Sequence, residues 1–193
     1  MGKRTETFWD FSVRCYEEPG VADACLALQE SHALDVNMIL YCCWMGVSRG
    51  RCEKATFEAV LSFSESWSGQ VVRPLRGARV WMKSTGCEQL GDFRDACMAL
   101  REQVKALELE AEKLQQNVLA AMTGSGARWI PASAERLSAV VANLRMYLVM
   151  RRADLDAASL ERLATIVAAA TGGLARADAL TALAREFTES EAT

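Results

Sequence analysis

The ten residues from Met38 to Val47, Met-Ile-Leu-Tyr-Cys-Cys-Trp-Met-Gly-Val, form the longest apolar run in the chain and carry no charge. The run is roughly half of what a membrane crossing needs, so its burial has to come from protein. From Asp35 to about Gly46 the segment reads as a helix that is apolar all round apart from Asn37 and Tyr41, the pattern of a central helix with other elements packed around it. Asp35 stands one residue before that helix. There a carboxylate accepts hydrogen bonds from free backbone amides and meets the positive end of the helix dipole, worth about 0.5 to 2 kcal/mol, so a cap is expected in preference to a catalytic acid.

The remainder of the chain reads as helical too. Three prolines and twelve glycines interrupt 193 residues rich in Ala, Leu, Glu and Arg, and no segment alternates apolar and polar residues with the period of a strand. Helices are expected over about Thr5–Glu18, Val21–His32, Glu53–Trp67 and Gln70–Lys83, with Pro74 tolerated in a first turn. The longest, over about residues 89–122, repeats Leu100, Val104, Leu107, Ala111, Leu114 and Val118 in steps of four and three, like the seam of a coiled coil. Three more amphipathic helices are expected over Ser133–Arg151, Asp156–Ala170 and Leu174–Thr188. Thr123-Gly-Ser-Gly-Ala127 looks like a linker; no cysteine follows Cys97 and no lysine follows Lys113, so composition changes near it. The expected fold is an all-α multi-helix bundle over residues 1–124, carrying that long helix, with a C-terminal helical extension over 128–193 docked on it.

Several functional classes are disfavoured at once. With 22 basic and 25 acidic residues, no global field draws the chain to nucleic acid or an anionic membrane. The N-terminus lacks the continuous apolar core of a secretion signal, and the reading places the protein in the cytoplasm. Seven cysteines without a Cys-x-x-Cys pair, beside one histidine, build no zinc or iron-sulfur template, so they read as buried free thiols and neither a metal nor a cofactor is expected. No phosphate loop, nucleotide-binding glycine pattern or nucleophile elbow occurs, and no motif gives His32 a nucleophile and a third partner.

The motifs Phe8-Trp-Asp-Phe-Ser12, Pro19-Gly-Val21, Ala24-Cys-Leu-Ala-Leu-Gln29, Asp35-Val-Asn37, Trp44-Met-Gly46, Val72-Arg-Pro-Leu-Arg76 and Val104-Lys-Ala-Leu-Glu-Leu-Glu-Ala111 occur in this order. Together they resemble an uncharacterised family of proteobacterial proteins known only as a domain of unknown function, over about residues 6 to 120. The resemblance implies a bacterial, cytosolic setting and brings no activity, cofactor or catalytic residue. The family pattern carries a glycine near position 33, where this chain has Ala33, so the turn before Asp35 is expected to close differently here.

Three residue groups are candidates for function. Asn37, Tyr41, Trp44 and Ser48 fall at i, i+4, i+7 and i+11, which puts every polar-tipped side chain of the apolar helix on one face. Residues 45–85 hold seven basic and three acidic side chains between two net-acidic segments, with Arg73 and Arg76 one turn apart. Arg101, Lys105, Glu108 and Glu112 run beside the long seam at helical spacing, as a solvated flank or as the border of an interface. The leading expectation is a protein-protein interaction or scaffold module that binds a protein partner or a second copy of itself. The alternative is a small-ligand or anion-binding bundle, with or without enzymatic activity, with a pocket near Asn37, Tyr41, Trp44, Arg73 and Arg76.

Overall fold

In the computed structural model of the protein, residues 6–124 and 133–188 are described, and every regular element among them is helical. The expected linker lies, from Ser125 on, outside the described residues. The chain forms two compact units, one of Met1–Phe57 with Thr123–Thr193 and one of Glu58–Met122.

The first unit holds α1 (Phe8–Glu17), α2 (Val21–His32), α3 (Val36–Ser48), the first residues of α4 (Lys54–Trp67), and then α7 (Ser133–Arg151), α8 (Ala157–Thr171) and α9 (Arg176–Thr188). Its centre is α3, buried from Asn37 to Gly46. The Asp35 carboxylate caps α3 by accepting the Asn37 N–H at 2.9 Å, and the Asp35 N–H donates to the Tyr147 hydroxyl at 2.8 Å. At the other end the N–H groups of Arg49 and Gly50 both donate to the Met45 carbonyl at 2.8 Å, with Gly50 at φ 97°, a conformation that favours glycine. Helix α7 lies along α3, while α8 packs on α2 and against α9.

A fully buried amide locks the turn after α3. Asn143 on α7 accepts the Cys52 N–H at 2.8 Å and donates to the carbonyls of Gly50 at 3.1 Å and Cys42 at 3.4 Å. All three partners are backbone groups; the Cys42 carbonyl also has its place in the α3 ladder, whereas the Cys52 N–H and the Gly50 carbonyl lie beyond the helix, and a buried backbone group left unpaired costs about 1–3 kcal/mol. Elsewhere Ala33 ends α2 in the left-handed conformation, at φ 50° and ψ 31°. That turn is thus closed by a residue bearing a Cβ.

The second unit contains the rest of α4, a π-helical segment Ser68–Val72, α5 (Arg73–Trp81), a second π-helical segment Met82–Gly86, a 3-10 turn Glu88–Phe93 and the long helix α6 (Arg94–Met122). Gly91, at φ 53° and ψ −120°, kinks the chain inside that turn. Helices α4 and α6 are joined by polar groups: Gln115 donates to the Ser64 hydroxyl at 2.9 Å, and the Trp67 indole N–H donates to the Ala111 carbonyl at 3.0 Å. Trp81 folds over Gly86, where a Cβ would lie 2.4 Å from its ring.

Candidate functional site

The polar face of α3 meets protein side chains. Tyr41 is fully buried, its hydroxyl 3.8 Å from the Cys52 sulfur and its ring 6.2 Å from Phe57. Trp44 stacks on Phe8 at 5.1 Å, and the Arg49 guanidinium lies over its ring, 4.7 Å from the centroid. Asn37 is buried at the head of the helix, and Ser48 returns its hydroxyl to the Trp44 carbonyl. Burial pushes the Tyr41 hydroxyl and the Cys42 and Cys43 thiols well above their ordinary ranges, so they remain protonated at neutral pH. Asn37, Tyr41 and Trp44 belong to the first unit, whereas Arg73 and Arg76 belong to the second.

Within the second unit Arg76 joins the acidic side chains of α6. Its Nε lies 2.8 Å from Glu108 and its terminal nitrogen 2.6 Å from Glu112, while Arg79 adds a second contact to Glu108 at 2.5 Å. Burial works to raise the Glu108 carboxyl, but hydrogen bonds from Arg79 and Arg76, with their charges, outweigh it and hold the group below the usual carboxylate range. Glu108 is buried, so this network joins α5 to α6 from the inside. Arg73 is exposed, Arg101 pairs with Glu102, and Lys105 is exposed with its ammonium 3.9 Å from Glu102. The arginine that the sequence leaves unmentioned, Arg79, is one helical turn from Arg76 and completes the network.

The seam on α6 divides into two rows. Ala111 is buried and Val104 and Val118 are half-buried, which turns that row inward. The leucine row faces water: Leu100 is 48% exposed, Leu107 58% and Leu114 49%. Phe93, seven residues before Leu100 and 73% exposed, continues the same spacing into the preceding turn. That extension was available from the seven-residue interval alone. Of the 14 large hydrophobic side chains most exposed among the described residues, ten belong to the second unit: Val80, Trp81, Leu90, Phe93, Met98, Leu100, Leu107, Leu109, Leu114 and Met122. Exposed apolar side chains are thus concentrated in the second unit, with four of the 14 in the first.

Groups with reactive chemistry are placed elsewhere. His32 Nε2 lies 2.8 Å from the Ser159 hydroxyl, a contact between residues 127 apart that no motif announces. Ser159 is 1% exposed and its N–H is capped by Asp156, so the pair ties α2 to α8 and offers no nucleophile to a substrate. Among the described residues no three of His, Cys, Asp and Glu are grouped to hold a metal, and no single helix is long and apolar enough to cross a membrane.

Five cysteines, at 15, 25, 42, 43 and 52, are buried free thiols, as the sequence suggests. Cys87 and Cys97 depart from that expectation: they form a disulfide with Cα atoms 5.4 Å apart. The turn over 88–93 reverses the chain and brings them together, and nothing in their spacing foretold it.

No curated protein and no solved structure matches the chain. The family described as "Protein of unknown function (DUF2390)" matches residues 7–119, more than half of the 193, and the chain belongs to that family.

Proposed function

We propose that the protein is an interaction module of the bacterial cytoplasm that pairs with a second copy of itself through the leucine row of α6. The observation that carries this reading is the row itself: Leu100, Leu107 and Leu114, each about half exposed, repeat every seven residues. A seven-residue period keeps one edge of a helix against another helix over several turns, and about 21 Å separates the first leucine from the last. Two copies present identical rows, which satisfies a two-fold interface without a further sequence requirement.

Magnitudes make such a pair weak. Full burial of a leucine is worth about 1.5–3 kcal/mol, so six half-exposed leucines contribute on the order of 5–9 kcal/mol. Lost rigid-body freedom opposes this with about 4–15 kcal/mol. Reversible association in the micromolar range or weaker is the result.

Sedimentation of the intact chain from about 1 to 100 µM tests the proposal. A concentration-dependent dimer is expected, abolished by Leu107→Glu at unchanged helical circular dichroism. A wild-type chain that stays monomeric across that range removes the reading.

A further inference from the structure

We propose that the Cys87–Cys97 bridge is a thiol-exchange site, opened by a soluble dithiol, that controls the turn at the head of the α6 leucine row. The control of the row rests on the reading given under Proposed function; the exchange site does not.

The bridge is selective by placement. The five free cysteines are buried and single, and burial pushes Cys15 up to about 11 and Cys25 up to about 12. Thiols so held are poor nucleophiles, and an attacking reagent does not reach them. Cys87 is 2% exposed and Cys97 is half-buried, so Cys97 presents the sulfur that is open to attack.

The bridge also holds a segment that packing does not hold. All nine residues from Glu88 to Ala96 are exposed, including Leu90 at 49% and Phe93 at 73%. Inside this segment the Leu90 N–H reaches the Cys87 carbonyl at 3.4 Å, near the outer limit of a hydrogen bond. With no buried side chain to anchor it, the segment opens locally at little cost once the covalent tie is cut. A single bridge in a chain whose other five cysteines are free thiols has the character of a redox sensor.

The exchange balances with a dithiol reductant. One thiolate of the reductant attacks the Cys97 sulfur, the S–S bond breaks, and the Cys87 sulfur departs as a thiolate that takes a proton from water. The second thiol of the reductant then attacks the mixed disulfide, frees Cys97 and leaves as a cyclic disulfide. Two electrons and two protons reach the bridge, and a disulfide oxidant reverses the sequence.

The test uses the intact protein with dithiothreitol under native conditions, read by maleimide labelling with peptide mapping and by amide hydrogen exchange. Labelling of Cys87 and Cys97 alone is expected, only after reduction, with exchange over 88–96 at least tenfold faster and the rate over 104–119 unchanged. Cys87→Ser/Cys97→Ser should reproduce the fast exchange without reductant. A bridge that resists the dithiol until urea unfolds the chain, exchange that ignores reduction, or labelling of both thiols before reduction would each overturn the site.

Sedimentation adds the second arm. Removing Phe93 from the row should weaken association about tenfold, the equivalent of roughly 1.4 kcal/mol. Association unchanged by reduction overturns the control of the row. Absence of association in both redox states overturns the pairing itself, while labelling and exchange still decide the thiol site.

Discussion

Gly46 on α3 and Val140 on α7 stand so close that a Cβ on Gly46 would lie 2.5 Å from the Val140 backbone nitrogen and 2.6 Å from its Cα. Backbone atoms cannot swing aside as a side-chain tip can, so Gly46→Ala has to force the two helices apart. Overpacking a buried contact costs about 1–3 kcal/mol, more where backbone is the obstacle, whereas alanine in place of helical glycine returns about 1 kcal/mol. The steric effect wins, and a net loss of about 1–2 kcal/mol is expected in urea unfolding. An unchanged or raised midpoint would mean that α3 and α7 separate freely.

Ala33 offers the opposite case. Its φ of 50° places a Cβ where L-residues are disfavoured, at an exposed position with nothing to gain from the methyl. The left-handed conformation costs a non-glycine residue roughly 1–2 kcal/mol, while the looser unfolded chain of a glycine variant takes back about 0.4–1 kcal/mol. Ala33→Gly should therefore stabilise the protein by up to about 1 kcal/mol, and Ala33→Val should destabilise it. Thermal scans of the two variants beside wild type decide the matter; a lower midpoint for the glycine variant would refute the strain argument.

These two sites show which features the sequence makes legible. Helices, the Asp35 cap and the burial of α3 depend on neighbours within a few residues, and the apolar run with its preceding carboxylate carries that information locally. The α6 row was legible as a pattern, but its division into an inward valine-alanine row and an outward leucine row depends on which flank α4 and α5 cover. Tyr41 and Trp44 were legible as one face, yet the groups that meet them, Phe8, Arg49, Cys52 and Phe57, are fixed only by tertiary packing. Asn143 reads as an ordinary helical asparagine because its partners lie 91 to 101 residues earlier. The division between the two units, after Phe57, falls inside α4, where no glycine or proline marks it.

Asn143 supplies the third prediction. Asn143→Leu keeps the volume and leaves the Cys52 N–H and the carbonyls of Gly50 and Cys42 without this partner in a dry interior. The Cys42 carbonyl keeps its helical partner, so two groups are stranded at about 1–3 kcal/mol each, and a loss of about 2–4 kcal/mol is expected. Amide exchange at Cys52 should accelerate with it. Wild-type protection at that amide in the variant would show that the turn is held by something else.

Glu108 makes the stability of the second unit depend on pH in a definite direction. Burial raises its carboxyl, the contacts with Arg79 and Arg76 lower it more, and the net position is below the unfolded value. A carboxylate depressed in this way contributes stability above the unfolded pKa, about 4.3, and loses it as pH falls through the lower folded value. Glu108→Gln should cost about 1–3 kcal/mol at pH 7, discounted from a fully buried pair because both arginines remain about a quarter exposed. Below about pH 4 the difference between wild type and variant should shrink, since protonation gives wild type the same neutral side chain. Urea midpoints at pH 7, 5 and about 3.5, followed by tryptophan fluorescence, measure this. A gap between the two proteins that is constant across that range would show that Glu108 acts through its shape and hydrogen bonds, with no part played by its charge.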